Sequence, residues 1–352
     1  MKVKIMLFYL LLICTIYFLL FNLFQYLFFQ DTLNRDFSDK LDIVITWVEA
    51  DEAYVRDKNF WLKREIKMLD EKEIARRSTD NKELKYSLRS IEKFFPYYNK
   101  IYLVIKDGQF PKYIKERHPR LVIIKESDIM PNEYLPTFNS MAIEPYLHHI
   151  PNLSDNYIYM NDDFIFLKPT NKSYFLDKNY KPTPLYTSNK KRKFINEYEI
   201  DLNDYNFETG YAINNFILDS LGKEEREGRY LVSHVPKIFN RKYDYEIEKR
   251  LKNHYIDDEE INVYDKTGMS KFRKNGNLYL VSILKEYLYH YWFDCKFKKT
   301  NHIFQKIFNL SKLKNNKNDN QFLCINEINK KDLDDYHNYM SNIFPKKSSF
   351  EK

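Results

Sequence analysis

Four apolar runs rich in β-branched residues, most of them separated by stretches long enough to hold helices, constrain this chain more than any other feature. LDIVITWV at Leu41–Val48 is flanked by charge and lacks polar alternation, the pattern of a strand buried on both faces. KIYLVI at Lys100–Ile105, RLVIIK at Arg120–Lys125 and NYIYMNDDFIFL at Asn156–Leu167 read the same way. Between the first two runs, Leu84, Leu88, Ile91 and Phe95 recur at helical spacing, with Asp80 as the expected N-cap, Glu83 completing a capping box and Pro96 ending the helix. Strand and helix in alternation predict βαβ units and an α/β, Rossmann-like fold with a mainly parallel sheet. Further helices are expected near Asn139–His149 and within Lys271–Trp292, where Leu280, Ile283, Leu284, Tyr287 and Leu288 share a face. Residues 170–228 are polar and irregular. Residues 41–300 are read as one domain and the Asn- and Lys-rich stretch 301–352 as a peripheral segment.

Ahead of this domain, no charged residue occurs between Lys4 and Asp31. About 20 apolar residues suffice to cross a bilayer, so residues 1–30 are predicted to hold a cytosolic tip and one transmembrane helix, with 31–40 as a short stalk. Lys2 and Lys4 precede the span, which keeps the N-terminus cytosolic and places the remaining chain across the membrane, in the Golgi lumen if the host is a eukaryote. Cys14 lies in the span, leaving Cys295 and Cys324 as the pair a disulfide would require.

Composition narrows the function classes. With only 6 Gly among 352 residues and 17% aromatics, neither a fibrous repeat nor low-complexity disorder fits. The net charge of +7 is spread through mixed Lys and Glu, with small runs such as Lys190–Lys193 and Lys312–Lys317 that read as solvated faces rather than as a nucleic-acid surface. A phosphate-bearing substrate accounts for a mild positive balance.

Asn161, Asp162 and Asp163 close an apolar strand, and open α/β sheets bind ligands at such strand ends. Adjacent carboxylates suit Mg²⁺ or Mn²⁺ shared with phosphate oxygens, although the same residues also make ordinary turns. Arg76, Arg77 and Arg273 offer planar guanidinium forks for phosphate. His234, just before Pro236, can serve as a general base, a metal ligand or a structural residue.

Four separated segments, in order, resemble the signature regions of the Stealth family of sugar-phosphate transferases: LDIVITWVEADE; RRSTDNKELKYSLRSIEKFFPYYNKIYLVIKDGQFPKYI; LPTFNSMAIEPYLHHIPNLSDNYIYMNDDFIFLKP at Leu135–Pro169; and SHVPKIFNR with the later KFRKNGN. That family includes bacterial capsule polymerases and the Golgi enzyme that transfers N-acetylglucosamine-1-phosphate to lysosomal glycoproteins. The resemblance implies a nucleotide-sugar-transferase core, a divalent metal, a nucleotide-sugar donor and a glycan or glycoprotein acceptor. It further implies that Asp42, Thr46, Trp47, Arg77, Asp80, Asn81, Asn139 and Ser140 line the donor pocket. Asp162 and Asp163 become the metal and phosphate site, His234 the base and Arg273 a phosphate clamp. Glu49 and Ala50 depart from the family's usual Asp or Asn followed by Gly, which bears on nucleotide choice. A metal-dependent glycosyltransferase and an inactive membrane-tethered binding subunit are the alternatives.

Overall fold

The computed structural model describes residues 15–20, 39–65, 80–192, 207–223, 229–252, 254–256, 259–261, 267, 271–272, 281–315 and 319–352. Met1–Ser38 and Asp39–Lys352 are separate compact units. In the first, residues 15–20 are helical. No helix among the described residues is long and apolar enough to cross a membrane, and the remainder of the expected anchor lies outside them.

The second unit is built on strands β1 (Leu41–Trp47), β2 (Ile101–Ile105), β3 (Leu121–Lys125) and β4 (Asn156–Asn161), with helices α1 (Glu52–Glu65) and α2 (Glu83–Phe94) between β1 and β2 and the short α3 (Ser140–Ile143) before β4. After β5 (Phe164–Phe166) come β6 (Leu185–Arg192), α4 (Phe207–Ser220), β7 (Arg229–Val232), β8 (Lys237–Asn240) and α5 (Arg241–Leu251). The hairpin β9 (His254–Ile256) and β10 (Glu259–Ile261) precedes α6 (Val281–Phe293), β11 (Lys298–Lys299), β12 (His302–Gln305), α7 (Leu310–Asn315), β13 (Phe322–Ile325) and α8 (Leu333–Ile343).

The central sheet has the order β3-β2-β1-β4-β8, parallel except for β8. The expected α/β class with a mainly parallel sheet is therefore present. Every residue of β1 and β2 is buried, as uninterrupted apolar runs in a sheet covered on both faces require. Strand order reverses between β1 and β4, so their carboxyl ends flank the crevice where such sheets take ligands.

Several local expectations differ from the structure. Lys82, in the left-handed region at φ 64°, precedes α2, and Asp80 Oδ1 accepts from the Lys82 N–H (2.8 Å) in a turn instead of capping the helix. The Glu83 carboxylate accepts from both the Asn81 N–H and Asn81 Nδ2 (each 2.7 Å), so no capping box forms. The helix expected over 139–149 is one α-helical turn followed by a 3₁₀ segment, Glu144–His149, that begins next to Pro145. The run 156–167 splits at Asp162–Asp163, and β5 leaves the central sheet to pair antiparallel with β13. No helix links β2 to β3. Cys295 and Cys324 are both buried and free, not paired.

The stretch 301–352, expected to be peripheral, packs into the core. β13 is buried throughout, and Tyr336, Met340 and Phe344 on or next to α8 close over Tyr86, Ile165 and Leu323. α2 is thereby covered on two sides: Leu84, Leu88 and Ile91 face the central sheet while Tyr86 faces α8. Burying each of those aliphatic side chains contributes roughly 2 kcal/mol.

Candidate active site

The carboxyl edge of the sheet gathers most of the expected site residues. Thr46 lies opposite Asn161 in the β1–β4 register. The buried Tyr159 hydroxyl is within hydrogen-bonding distance of Thr46 Oγ1 (3.3 Å), Asn161 Oδ1 (2.9 Å) and Glu144 Oε1 (3.3 Å), bridging the two strand ends to the 3₁₀ segment. Trp47, next along β1, buries its indole N–H, which has no partner within strict hydrogen-bond geometry among the described residues yet lies close enough to Asp80 to lower that carboxyl.

Immediately past β4, Asp162 and Asp163 form the turn into β5. Burial raises the Asp162 carboxyl well above the usual range, and the negative charges of Asp163, Glu83 and Asp80 raise it further. Burial likewise pushes Glu83 up to about 7, against its hydrogen bonds from Asn81, and raises Asp80. Tyr113 donates to Asp80 (3.3 Å), and the Cys324 thiol, on β13, donates to Asp163 Oδ2 (3.2 Å). Charge coupling links the four carboxyl groups, although no three of them bring ligand atoms within 4.8 Å of one another; the adjacent pair Asp162–Asp163 at the strand end is the donor chemistry that a hard divalent cation takes.

His234 sits in the loop before β8, its ring edge-on to Phe164 (5.1 Å between centroids), which directly follows the acidic turn, and to Phe304 (5.3 Å). Asn139 is buried and caps α3 by accepting from the Met141 N–H (3.2 Å), with Ser140 opening that helix. Next to them, Phe138 stacks on Phe272 at 5.3 Å, and Lys271 Nζ donates to the carbonyls of Tyr134 (3.3 Å), Leu135 (3.1 Å) and Pro136 (3.3 Å). Arg77 and Arg273 lie outside the described residues.

Asp42 is not brought to this edge. It stands at the start of β1, fully buried, where its carboxylate accepts from Asn99 Nδ2 (2.9 Å), the Lys100 N–H (3.0 Å) and the Ser154 N–H (2.7 Å). Four residues of strand, about 13 Å, separate it from Thr46. It staples the loops that enter β2 and β4. Lys106, by contrast, was not legible as a site residue: it follows β2 at the carboxyl edge, buried, with its ammonium over the rings of Phe138 (4.7 Å) and Tyr54 (5.8 Å). Its only sequence signal is a basic residue directly after an apolar run.

Residues 77–184 match the model of Stealth protein CR2, conserved region 2. The chain is 39% identical over 143 residues to the capsular polysaccharide phosphotransferase LcbA of Neisseria meningitidis, covering 40% of this chain and 38% of that protein. To fcs1 of Haemophilus influenzae, of the same description, it is 37% identical over 140 residues, covering 40% and 38%. To CpsJ of Streptococcus thermophilus, also so described, it is 33% identical over 148 residues, covering 42% of this chain and 62% of the relative. The matched part thus spans under two thirds of each relative's length.

Proposed function

From the premise that this chain, with its conserved region 2, is a Stealth protein, we propose that it transfers a sugar-1-phosphate from a nucleotide sugar to a hydroxyl of a glycan acceptor. The observation that carries the reading is the acidic turn Asp162–Asp163 at the point where strand order reverses, crowded by Asp80 and Glu83. The similar proteins are described as capsular polysaccharide phosphotransferases, which supports phosphoryl rather than glycosyl transfer.

In this reading the acceptor oxygen bonds to the phosphorus attached to the sugar, the bond from that phosphorus to the departing nucleoside monophosphate breaks, and His234 takes the acceptor proton. A positioned base is worth about 10² to 10⁴ in rate. Asp162 and Asp163 would hold Mg²⁺ or Mn²⁺, which supplies charge stabilisation to the phosphoryl oxygens. Trp47, Asn139 and Ser140 shape the donor pocket, with Asn81 fixing Glu83 at its rim. Arg77 and Arg273 are proposed as phosphate clamps, an N-acetylhexosamine-1-phosphate as the group transferred, and the uncharged run after Lys4 as a membrane anchor.

The test is incubation of the protein with UDP-, CDP- and GDP-sugars, Mg²⁺ or Mn²⁺ and simple glycosides, identifying the nucleotide released. Monophosphate release that disappears in Asp163→Ala is the expected result. Diphosphate release would make this a glycosyltransferase instead, and tight donor binding without turnover an inactive binding subunit.

A further inference from the structure

Away from the acidic turn, the 3₁₀ segment Glu144–His149 ends in two adjacent histidines. Successive side chains on a 3₁₀ helix diverge by about 120°. Both rings nonetheless reach one carboxylate of α5: His148 Nε2 lies 2.6 Å and His149 Nε2 2.8 Å from Glu248 Oε2. Among the described residues, these three make the one set of at least three His, Cys, Asp or Glu side chains whose ligand atoms all lie within 4.8 Å of one another.

We propose that His148, His149 and Glu248 form a site for a zinc-class divalent cation, which clamps the 144–149 segment to α5. Two imidazole nitrogens and one carboxylate oxygen are a donor set that Zn²⁺ takes and Mg²⁺ does not favour. Burial disfavours the cationic form of His148. Burial opposes ionisation of Glu248, but hydrogen bonds from both histidines outweigh it and hold the carboxyl below its usual range. Tetrahedral bonds of about 2.1 Å need ligand atoms about 3.4 Å apart, so the carboxylate oxygen retreats by less than ~1 Å to admit the ion.

The surroundings supply the remaining requirements. Lys252 holds the other carboxylate oxygen (2.7 Å), fixing the glutamate as outer partners of metal ligands do, and Tyr245 packs edge-on against His148 (4.6 Å). Lys285, whose charge reaches His148, is offset by Asp244 at 3.4 Å. The His149 side chain is 34% exposed, which opens an entry path and a position for water. Glu144, at the other end of the same 3₁₀ segment, meets Tyr159 and so connects the clamp to the carboxyl edge.

The experiment uses the tag-free full chain stripped with EDTA, desalted, then titrated with Zn²⁺ or Mg²⁺, reading bound metal by elemental analysis and melting by fluorimetry. One equivalent of zinc and a rise in Tm of about 3 to 6 °C, absent with Mg²⁺, are expected. His149→Ala, at a partly exposed position, should keep the far-UV spectrum and weaken zinc at least tenfold, and Glu248→Gln should do the same. Failure to retain zinc, or retention undiminished in both variants, would overturn the site.

Discussion

Arg89 and Glu351 meet in a two-bond ion pair, Nε to Oε1 and Nη2 to Oε2 at 2.7 Å each, between residues 262 positions apart. Arg89 also donates to the Phe344 carbonyl (2.7 Å), so one guanidinium ties α2 to the end of α8 and to the last residues of the chain. Both side chains are about 95% covered.

Glu351→Ala leaves that guanidinium buried with one carbonyl partner. Removing one member of a buried pair costs several kcal/mol, and Arg89 borders a groove of about 500 Å³ open to water, so a loss of about 2 to 4 kcal/mol is expected. Urea unfolding measures it. A loss below 0.5 kcal/mol would mean that the C-terminal residues do not brace α2.

Tyr159→Phe removes the hydroxyl between Thr46, Asn161 and Glu144 without changing the packed ring. Stability should fall by about 1 kcal/mol. Turnover should fall roughly tenfold to a hundredfold, because Asn161 leads into the acidic turn and small misplacements there are costly. Wild-type turnover in this variant would detach the bridge from catalysis.

Glu83, raised from 4.5 to about 7, binds its proton more tightly folded than unfolded. The stability it contributes is therefore full at acid pH and lost as pH rises from about 4.5 to about 7, on the order of 3 kcal/mol at 1.36 kcal/mol per unit. In chelator, Glu83→Gln should flatten this decline in the urea midpoint, and Mg²⁺ should offset it in the unmodified protein. Parallel profiles for the two proteins would contradict the assignment.

Cys295 and Cys324 are buried, and burial pushes both thiols above their usual range, Asp163 adding to the rise at Cys324. Neither should react with iodoacetamide in the folded protein at neutral pH, and both should react in urea. Peptide mass mapping reads each cysteine separately. Rapid labelling of Cys324 in the native state would mean that β13 does not cover the acidic turn.

The parallel strands and the acidic turn were legible in the sequence because both are local signals. An uninterrupted apolar run such as IYLVI can be buried on two faces only, and adjacent aspartates after such a run mark its end. Less of the site was legible. The expected cap at Asp80 failed because Lys82 takes a left-handed turn, which no spacing rule announces. Asp42 was expected at the pocket, yet its position at the amino end of β1 puts it at the opposite edge.

By itself the sequence determined the strand runs, the helical face of α2 and the acidic turn at Asp162–Asp163, since each follows from the period and polarity of neighbouring residues. Only the tertiary structure decided that β13 and α8 close over the core, that Cys324 reaches Asp163, and that Glu248 stands between His148 and His149. The physical reason is sequence distance: these contacts join residues about 100 or more positions apart, and their partners are chosen by how elements pack rather than by any local pattern.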